Sequence, residues 1–291
     1  MGTSRRLAGP AGVILGTVCA LLIATQARAS DSRAYTEEFH HSYPLSSGGR
    51  VELENINGAV HITAWDREEV KVDAVKYAGT QERLNEARIE VNASSSTVSI
   101  RTEYPDHDHT FNRDDRNNPA SVEYTLMVPR AARLDEVKLV NGALDVNGVE
   151  GEVRAETING RLTARGLSGE TRLSTINSHL QADFARLPRG EVELSSVNGS
   201  LEVTLPSDAQ ASIKASTLHG GIHSDFGLNA VGHHWVGQEM RGELGNGGTR
   251  IRLSNVNGSI DIQHANDGKA LSPARSENRD DDRDDNDDDP I

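Results

Sequence analysis

The sequence predicts an all-β chain coiled as a parallel β-solenoid, single-stranded and β-helix-like, with rungs of about 18–21 residues. Three observations carry that expectation. A ten-residue cassette of the form apolar-x-x-(Ile/Val)-Asn-Gly-x-(Leu/Ile)-x-(Val/Ile) occurs, with small variations, seven times in 291 residues. Apolar and polar residues alternate on both sides of each Asn-Gly pair, which gives every strand one inward side. Glycine is frequent at 27 residues while aromatics make up only 4% of the chain, a composition suited to many corners and short strands.

Taken from the N-terminus, residues 1–29 read as a signal peptide. Arg5 and Arg6 form a positive region, residues 11–24 are apolar, and Ala27-Arg28-Ala29 is a small-residue cleavage site before Ser30. The apolar stretch falls short of the roughly 20 residues that cross a bilayer, so no integral membrane span is expected after cleavage. Cleavage also removes Cys19, the one cysteine, and leaves 27 basic against 44 acidic side chains. An exported chain without a thiol has no disulfide, no Cys-type zinc site and no thiol nucleophile. The negative charge excludes a basic nucleic-acid binder, and a mean hydropathy of −0.54 excludes a membrane-helix bundle.

Residues 30–135 read as an N-terminal β region. Strands are expected at 50–55, 59–65, 69–77, 88–93, 97–103 and 121–128, with a helical turn near 81–87. Residues 104–120 form an insertion too polar for a core, containing Asp106-His107-Asp108-His109. His107 and His109 beside carboxylates are ordinary ligand types for zinc or copper, which opens a metal-responsive reading. A polar loop is the preferred explanation of the run, because no further His or Cys follows at a fixed short spacing, and no metal or other cofactor is assigned.

Residues 136–265 are the repeat proper. The key Asn or His recurs at Asn141, Asn159, Asn177, Asn198 and His219, and the cassette reappears around Asn57 and Asn257. Asn-Gly tolerates positive φ and so lets the chain turn; a second break, such as Gly148 to Gly151 or Gly166 to Gly169, follows a few residues later. One such unit cannot repay the entropy of ordering its backbone, so rungs must stack and share a core, with the asparagines in a ladder. The competing arrangement is an antiparallel β-sandwich of stacked hairpins, because Asn-Gly between alternating runs is also a hairpin signal. Apolar residues at identical phase in every copy, including the Ile or Val just before Asn, favour the solenoid. Residues 229–246 interrupt the repeat and hold His233-His234-Trp235; they suit a cap over the terminal rung, with Trp235 as a sugar or partner contact in the other reading. Residues 266–291 read as a disordered acidic tail, nine acids against three arginines from Arg275 onward.

Catalysis on such a scaffold needs paired carboxylates on one outward face. The outward column after the turn reads Asp145, Thr163, Gln181, Glu202 and His223, and the next reads Asn147, Arg165, Asp183 and Thr204; Glu202 with Asp183 and His223 is the best cluster for a carbohydrate-active enzyme. Mixed polar residues on a solvated face explain these columns as well, and no nucleophile elbow, zinc-protease motif or phosphate loop is present. No catalytic, cofactor-binding or metal residue is assigned. The pairs Glu136 with Arg154 and Arg172 with Glu193 suit rung-to-rung ion pairing.

The cassette, the step Leu205-Pro206-Ser207-Asp208-Ala209 and the ending Gly220-Gly221-Ile222-His223-Ser224-Asp225-Phe226 resemble the bacterial β-repeat family known as domain of unknown function 4097, the "putative adhesin" proteins. The resemblance spans residues 49–262. It implies an envelope-associated or secreted β-repeat protein and transfers no catalytic residue. The expectation is therefore an exported, non-enzymatic protein, periplasmic, surface-bound or secreted, offering a polar surface to an envelope protein or glycan.

Overall fold

A computed structural model describes residues 35–104, 120–232 and 237–276. The expected signal peptide, the metal-loop residues His107 and His109, the His233-His234-Trp235 run and the last fifteen residues lie outside the described residues. The chain opens with β1 (Tyr35–Pro44), β2 (Arg50–Asn57), β3 (Val60–Trp65) and β4 (Glu69–Ala78). A single helix α1 (Gln81–Glu86), capped by the Thr80 hydroxyl accepting from the Arg83 amide, leads into β5 (Arg88–Ala93) and β6 (Thr97–Glu103). Next come β7 (Ser121–Pro129), β8 (Arg133–Asn141), β9 (Leu144–Asn147), β10 (Val153–Asn159), β11 (Leu162–Leu167), β12 (Thr171–Asn177) and β13 (Leu180–Phe184). The series continues with β14 (Glu191–Asn198), β15 (Leu201–Leu205), β16 (Ala211–His219), β17 (Ile222–Ser224) and β18 (Ala230–Gly232). It ends with β19 (Gln238–Leu244), β20 (Thr249–Asn257), β21 (Ile260–His264) and β22 (Ala274–Ser276).

Two sheets result, and their central strands are parallel. Sheet I runs β1-β4-β7-β3-β9-β11-β13-β15-β21-β17; sheet II runs β18-β19-β16-β20-β14-β12-β10-β8-β2-β6-β5, with β22 on β19. Each cassette contributes one strand to sheet II, turns at Asn-Gly, and contributes the next to sheet I. The fold is the solenoid and not the antiparallel alternative, since copies pair in parallel at matching positions, as in Ala155 opposite Leu173 and Leu173 opposite Leu194. Inward columns are fully buried: Leu53, Val137, Leu173, Leu194 and Leu253 from sheet II face Leu144, Leu162, Leu180, Leu201 and Ile260 from sheet I. Full burial of such side chains stabilises by about 1.5–3 kcal/mol each.

Four details depart from the sequence expectations. First, no non-glycine residue among those described has positive φ, so Asn does not supply the turn's unusual backbone. Glycine is required instead by close approach: a Cβ on Gly160 would lie 1.8 Å from the Gly142 carbonyl oxygen, and one on Gly142 would lie 2.0 Å from that of Gly58. Positive φ is also used at this corner, by the glycines Gly58 (118°), Gly199 (149°), Gly220 (158°) and Gly258 (148°), and at the opposite corner by Gly148 (72°) and Gly166 (68°).

Second, stacking order is not chain order at either end. β20 sits between β14 and β16, and β2 sits between β6 and β8. The cassettes are interchangeable in register, so at the C-terminal end the later copy slots inside the earlier one, while at the N-terminal end the later β6 lies outside the earlier β2. Third, no boundary falls at residue 136: β2 and β3 are rungs of the same two sheets as β8 and β9, and β6 with β7 forms a further rung. Fourth, residues 266–276 are not free tail. Ser272 is buried, its amide donates to the Ser207 carbonyl, and β22 pairs antiparallel with β19. Backbone pairing is indifferent to the polar composition that suggested a tail.

Antiparallel strands extend the parallel stack at its ends. β1 lies antiparallel on β4 and β4 on β7, while β5 lies antiparallel on β6. At the far end β19 pairs antiparallel with β16, and its Met240 and Leu244 are buried, as is Leu228.

Candidate functional site

Stacking converts sequence repeats into straight outward columns, about 4.8 Å from rung to rung. The clearest is the predicted asparagine ladder. Each side-chain amide donates to the side-chain carbonyl of the rung before it: Asn141 to Asn57 at 3.0 Å, Asn159 to Asn141 at 3.0 Å, Asn177 to Asn159 at 2.9 Å, Asn198 to Asn177 at 3.0 Å and Asn257 to Asn198 at 2.8 Å. His219 takes the asparagine position on the outermost rung. Beneath the ladder an inward polar column braces the corner. Thr157 and Thr217 donate to the Gly160 and Gly258 carbonyls at 3.1 and 3.0 Å, and Asn55 reaches the Val122 carbonyl at 2.9 Å.

One residue before the ladder, on the outer face of sheet II, stands an aliphatic stripe: Ile56, Val140, Ile158, Ile176, Val197, Val256 and Leu218 in spatial order. Val140 and Ile158 are half-buried, while the other five are 36–48% exposed. An aliphatic side chain standing alone at a surface needs no explanation, but a contiguous line of seven marks an interaction surface. In the sequence these residues stand out only as evidence of phase. Their signal was present all along, since alternation assigns that position to the outward side.

Two polar columns flank the stripe on the same face. The nearer reads Glu54, Lys138, Glu156, Ser174, Ser195, Ser254 and Ser216; the farther reads Glu52, Glu136, Arg154, Arg172, Glu193, Arg252 and Lys214. Arg172 donates to Glu193 at 2.8 Å, the rung-to-rung pairing expected. Arg154 bonds Asp135 at 2.8 Å rather than Glu136, because a bulge in β8 sets Asp135 and Glu136 together opposite it. Glu136 pairs instead with Lys138, and that hydrogen bond holds the ammonium above its ordinary range. A depression of about 200 Å³ lies here, lined by Glu136, Lys138, Arg154, Glu156, Arg172 and Ser174 among others.

On sheet I the expected outward column forms, with a correction. Asp145, Thr163, Gln181 and Glu202 stand in register, but Asp261 of β21 follows Glu202 and precedes His223. Glu202 and His223 are therefore two strands apart. His223 contacts Asp225 at 3.2 Å, and Asp183 lies in the next column beside Arg165 at 3.6 Å. The three residues singled out for glycan cleavage do not converge. Nearer β1, the His40 imidazole bonds Asp73 at 2.8 Å and Glu38 at 3.2 Å, and these two carboxylates, Asp73 first, hold it above its ordinary range. Among the described residues no cluster of three or more His, Cys, Asp or Glu is placed to hold a metal, and no helix is long and apolar enough to cross a membrane.

Comparison with known proteins follows from this geometry. The sequence model of the family described as Toastrack DUF4097 matches residues 50–263. No curated protein matches the chain. Among solved structures, a "putative cell adhesion protein" from Clostridium sporogenes is similar at a TM-score of 0.47 with 14% identity, over 80% of this chain and 100% of that one. A "putative adhesin" from Bacteroides fragilis gives 0.33 at 9% identity, over 79% and 97%. A "putative lipid binding protein" from Parabacteroides distasonis gives 0.31 at 10% identity, over 80% and 96%.

Proposed function

The chain belongs to the Toastrack DUF4097 family, and from that premise we propose that it is an exported, non-enzymatic protein presenting a long, regular surface for binding, adhesion or scaffolding at the bacterial cell envelope. One observation carries the reading: on both sheets and at the Asn-Gly corner, outward side chains of successive rungs form columns that repeat at strand spacing, the sheet I column running Asp145, Thr163, Gln181, Glu202, Asp261 and His223. A surface with a fixed period suits an extended partner, a glycan strand or a protein with its own regular face, because many weak contacts then add in register. Export is supported by the charged, apolar and small-residue order of the first 29 residues.

Glycan cleavage is the less favoured reading, since Asp183 stands beside Arg165 and Asp261 separates Glu202 from His223. The test uses the mature chain from Ser30 as bait in native envelope extract, alongside a turnover assay on envelope polysaccharides. Capture of an envelope component without turnover is expected. Cleavage that disappears in Glu202→Gln and Asp183→Asn would overturn the binding reading.

A further inference from the structure

We infer that the outer face of sheet II is a self-association surface on which a second copy of this chain packs antiparallel, about a twofold axis running along the strands through β12. This goes beyond the binding role proposed above and assigns one of the molecule's two broad faces.

Across the seven strands β2, β8, β10, β12, β14, β20 and β16, the farther polar column reads Glu52, Glu136, Arg154, Arg172, Glu193, Arg252 and Lys214. A twofold axis parallel to the strands reverses the order of rungs but keeps each column opposite itself. Glu52 then faces Lys214, Glu136 faces Arg252, and Arg154 faces Glu193. Each of these pairs is of opposite sign, and each occurs twice by symmetry. The residue left over is the central Arg172, which meets its own copy while bonded to Glu193 of its own chain at 2.8 Å.

The same operation treats the other two columns consistently. Ile56 lies on Leu218, Val140 on Val256, Ile158 on Val197 and Ile176 on itself, so the exposed stripe is buried against aliphatic groups. Glu54, Lys138 and Glu156 each fall on a serine, Ser216, Ser254 and Ser195 respectively, and Ser174 falls on itself. No pair of like charges arises there, and the patch ends at the farther column, short of the strand-start column that holds Arg50, Arg133, Glu191, Arg250 and Ser212, where the same operation would set Arg133 against Arg250. The alternative twofold, parallel to the stack, would set the aliphatic stripe against the charged column and bury unpaired charge. Self-complementarity of this kind is needed only where the same patch meets itself, which is what separates a second copy from an unrelated partner.

Area and edges agree. Seven strands at about 4.8 Å and three columns about 6.7 Å apart span roughly 34 by 20 Å, or about 1,350 Å² buried over two copies, inside the roughly 1,200–2,000 Å² of a specific interface. At its ends the parallel stack is extended by the antiparallel strands β1, β5 and β19, outside this seven-strand patch. The dimer leaves both sheet I faces outward, pointing in opposite directions.

Sedimentation of the full chain over a range of concentrations tests this. A reversible monomer–dimer equilibrium is expected. Arg154→Glu and Glu193→Arg each set like charges together twice, and should weaken dimerisation by about tenfold or more. Mixed in equal amounts, the two variants restore both opposite-sign pairs and should recover the dimer as a heterodimer. Ile176→Lys, which places two ammonium groups across the axis, should abolish dimers by an independent route. Circular dichroism checks that each variant is folded. A chain that is monomeric at every concentration, a dimer indifferent to these changes, or variants that fail to complement on mixing would each overturn the assignment. Capture of an envelope component succeeds or fails separately, because monomer and dimer both present sheet I.

Discussion

At the residue scale the corner glycines carry the tightest constraint. Gly142, Gly160, Gly199, Gly258 and Gly220 each press against the main-chain carbonyl of an adjacent rung, with room for a Cβ no more than 2.2 Å from that oxygen. Gly160→Ala is accordingly expected to lower stability by about 3 kcal/mol or more, since two backbones must separate to admit the methyl group. Gly221→Ala, where nothing lies within 4 Å, should change stability by less than about 1 kcal/mol. Urea denaturation of the two variants checks both. The third repeat departs from the glycine pattern with Ser178, and there the paired register of β10 with β12 stops at Thr157 and Thr175. Elsewhere the asparagines themselves pair, as Asn159 does with Asn141 and Asn177 with Asn198. Asn-Gly was plain in the sequence, but its reason was not. A turn residue and a close-approach residue look alike until the neighbouring rung is in place.

At the element scale strands with an alternating pattern were legible and β1 was not. β5 and β6 begin and end where alternation placed them. β1 escaped because every residue of it but Phe39 and Tyr43 is exposed, so it has no inward apolar face to betray it. Main-chain pairing with β4 holds it instead, helped by His40 bonded to Asp73. Because the fold raises the His40 pKa above its ordinary 6.5, its contribution is fully present below that value and fades as pH rises through the raised one. Asp73 runs the other way: burial pushes its carboxyl up, but hydrogen bonds from Lys71 and His40 outweigh it and leave it below its ordinary range. Its contribution is therefore lost in acid. Protection of β1 amides, corrected for intrinsic exchange, should fall as pH rises above the ordinary 6.5 and through the raised value, and His40→Gln should remove that dependence. β4, inside the sheet, should stay protected throughout.

At the scale of the whole molecule the stack depends on a late segment. β20 pairs with both β14 and β16, so the last copy in the chain is what seats the copy before it. A chain ended at Gly248 should leave residues 206–248 without that seat. Limited proteolysis is expected to cut this truncated chain within 206–248 while the rungs from β8 to β15 resist. Cleavage spread evenly over the repeat would contradict the stacking order. The outward columns were foreseen up to Glu202; Asp261 was not placed beside it, because that adjacency exists only once β21 inserts before β17.

By itself the sequence determined the solenoid, the inward and outward side of each repeat strand, and the asparagine ladder. All of these follow from local alternation and from a cassette repeated at constant phase. Tertiary structure alone decided which copy neighbours which, where the stack is capped, and that seven aliphatic residues join into one exposed line with a self-complementary row of charges beside it. The physical reason is that near-identical cassettes pair equally well in any order. Their succession is then set by the connections between them, such as the β18–β19 excursion that delivers β20 between β14 and β16.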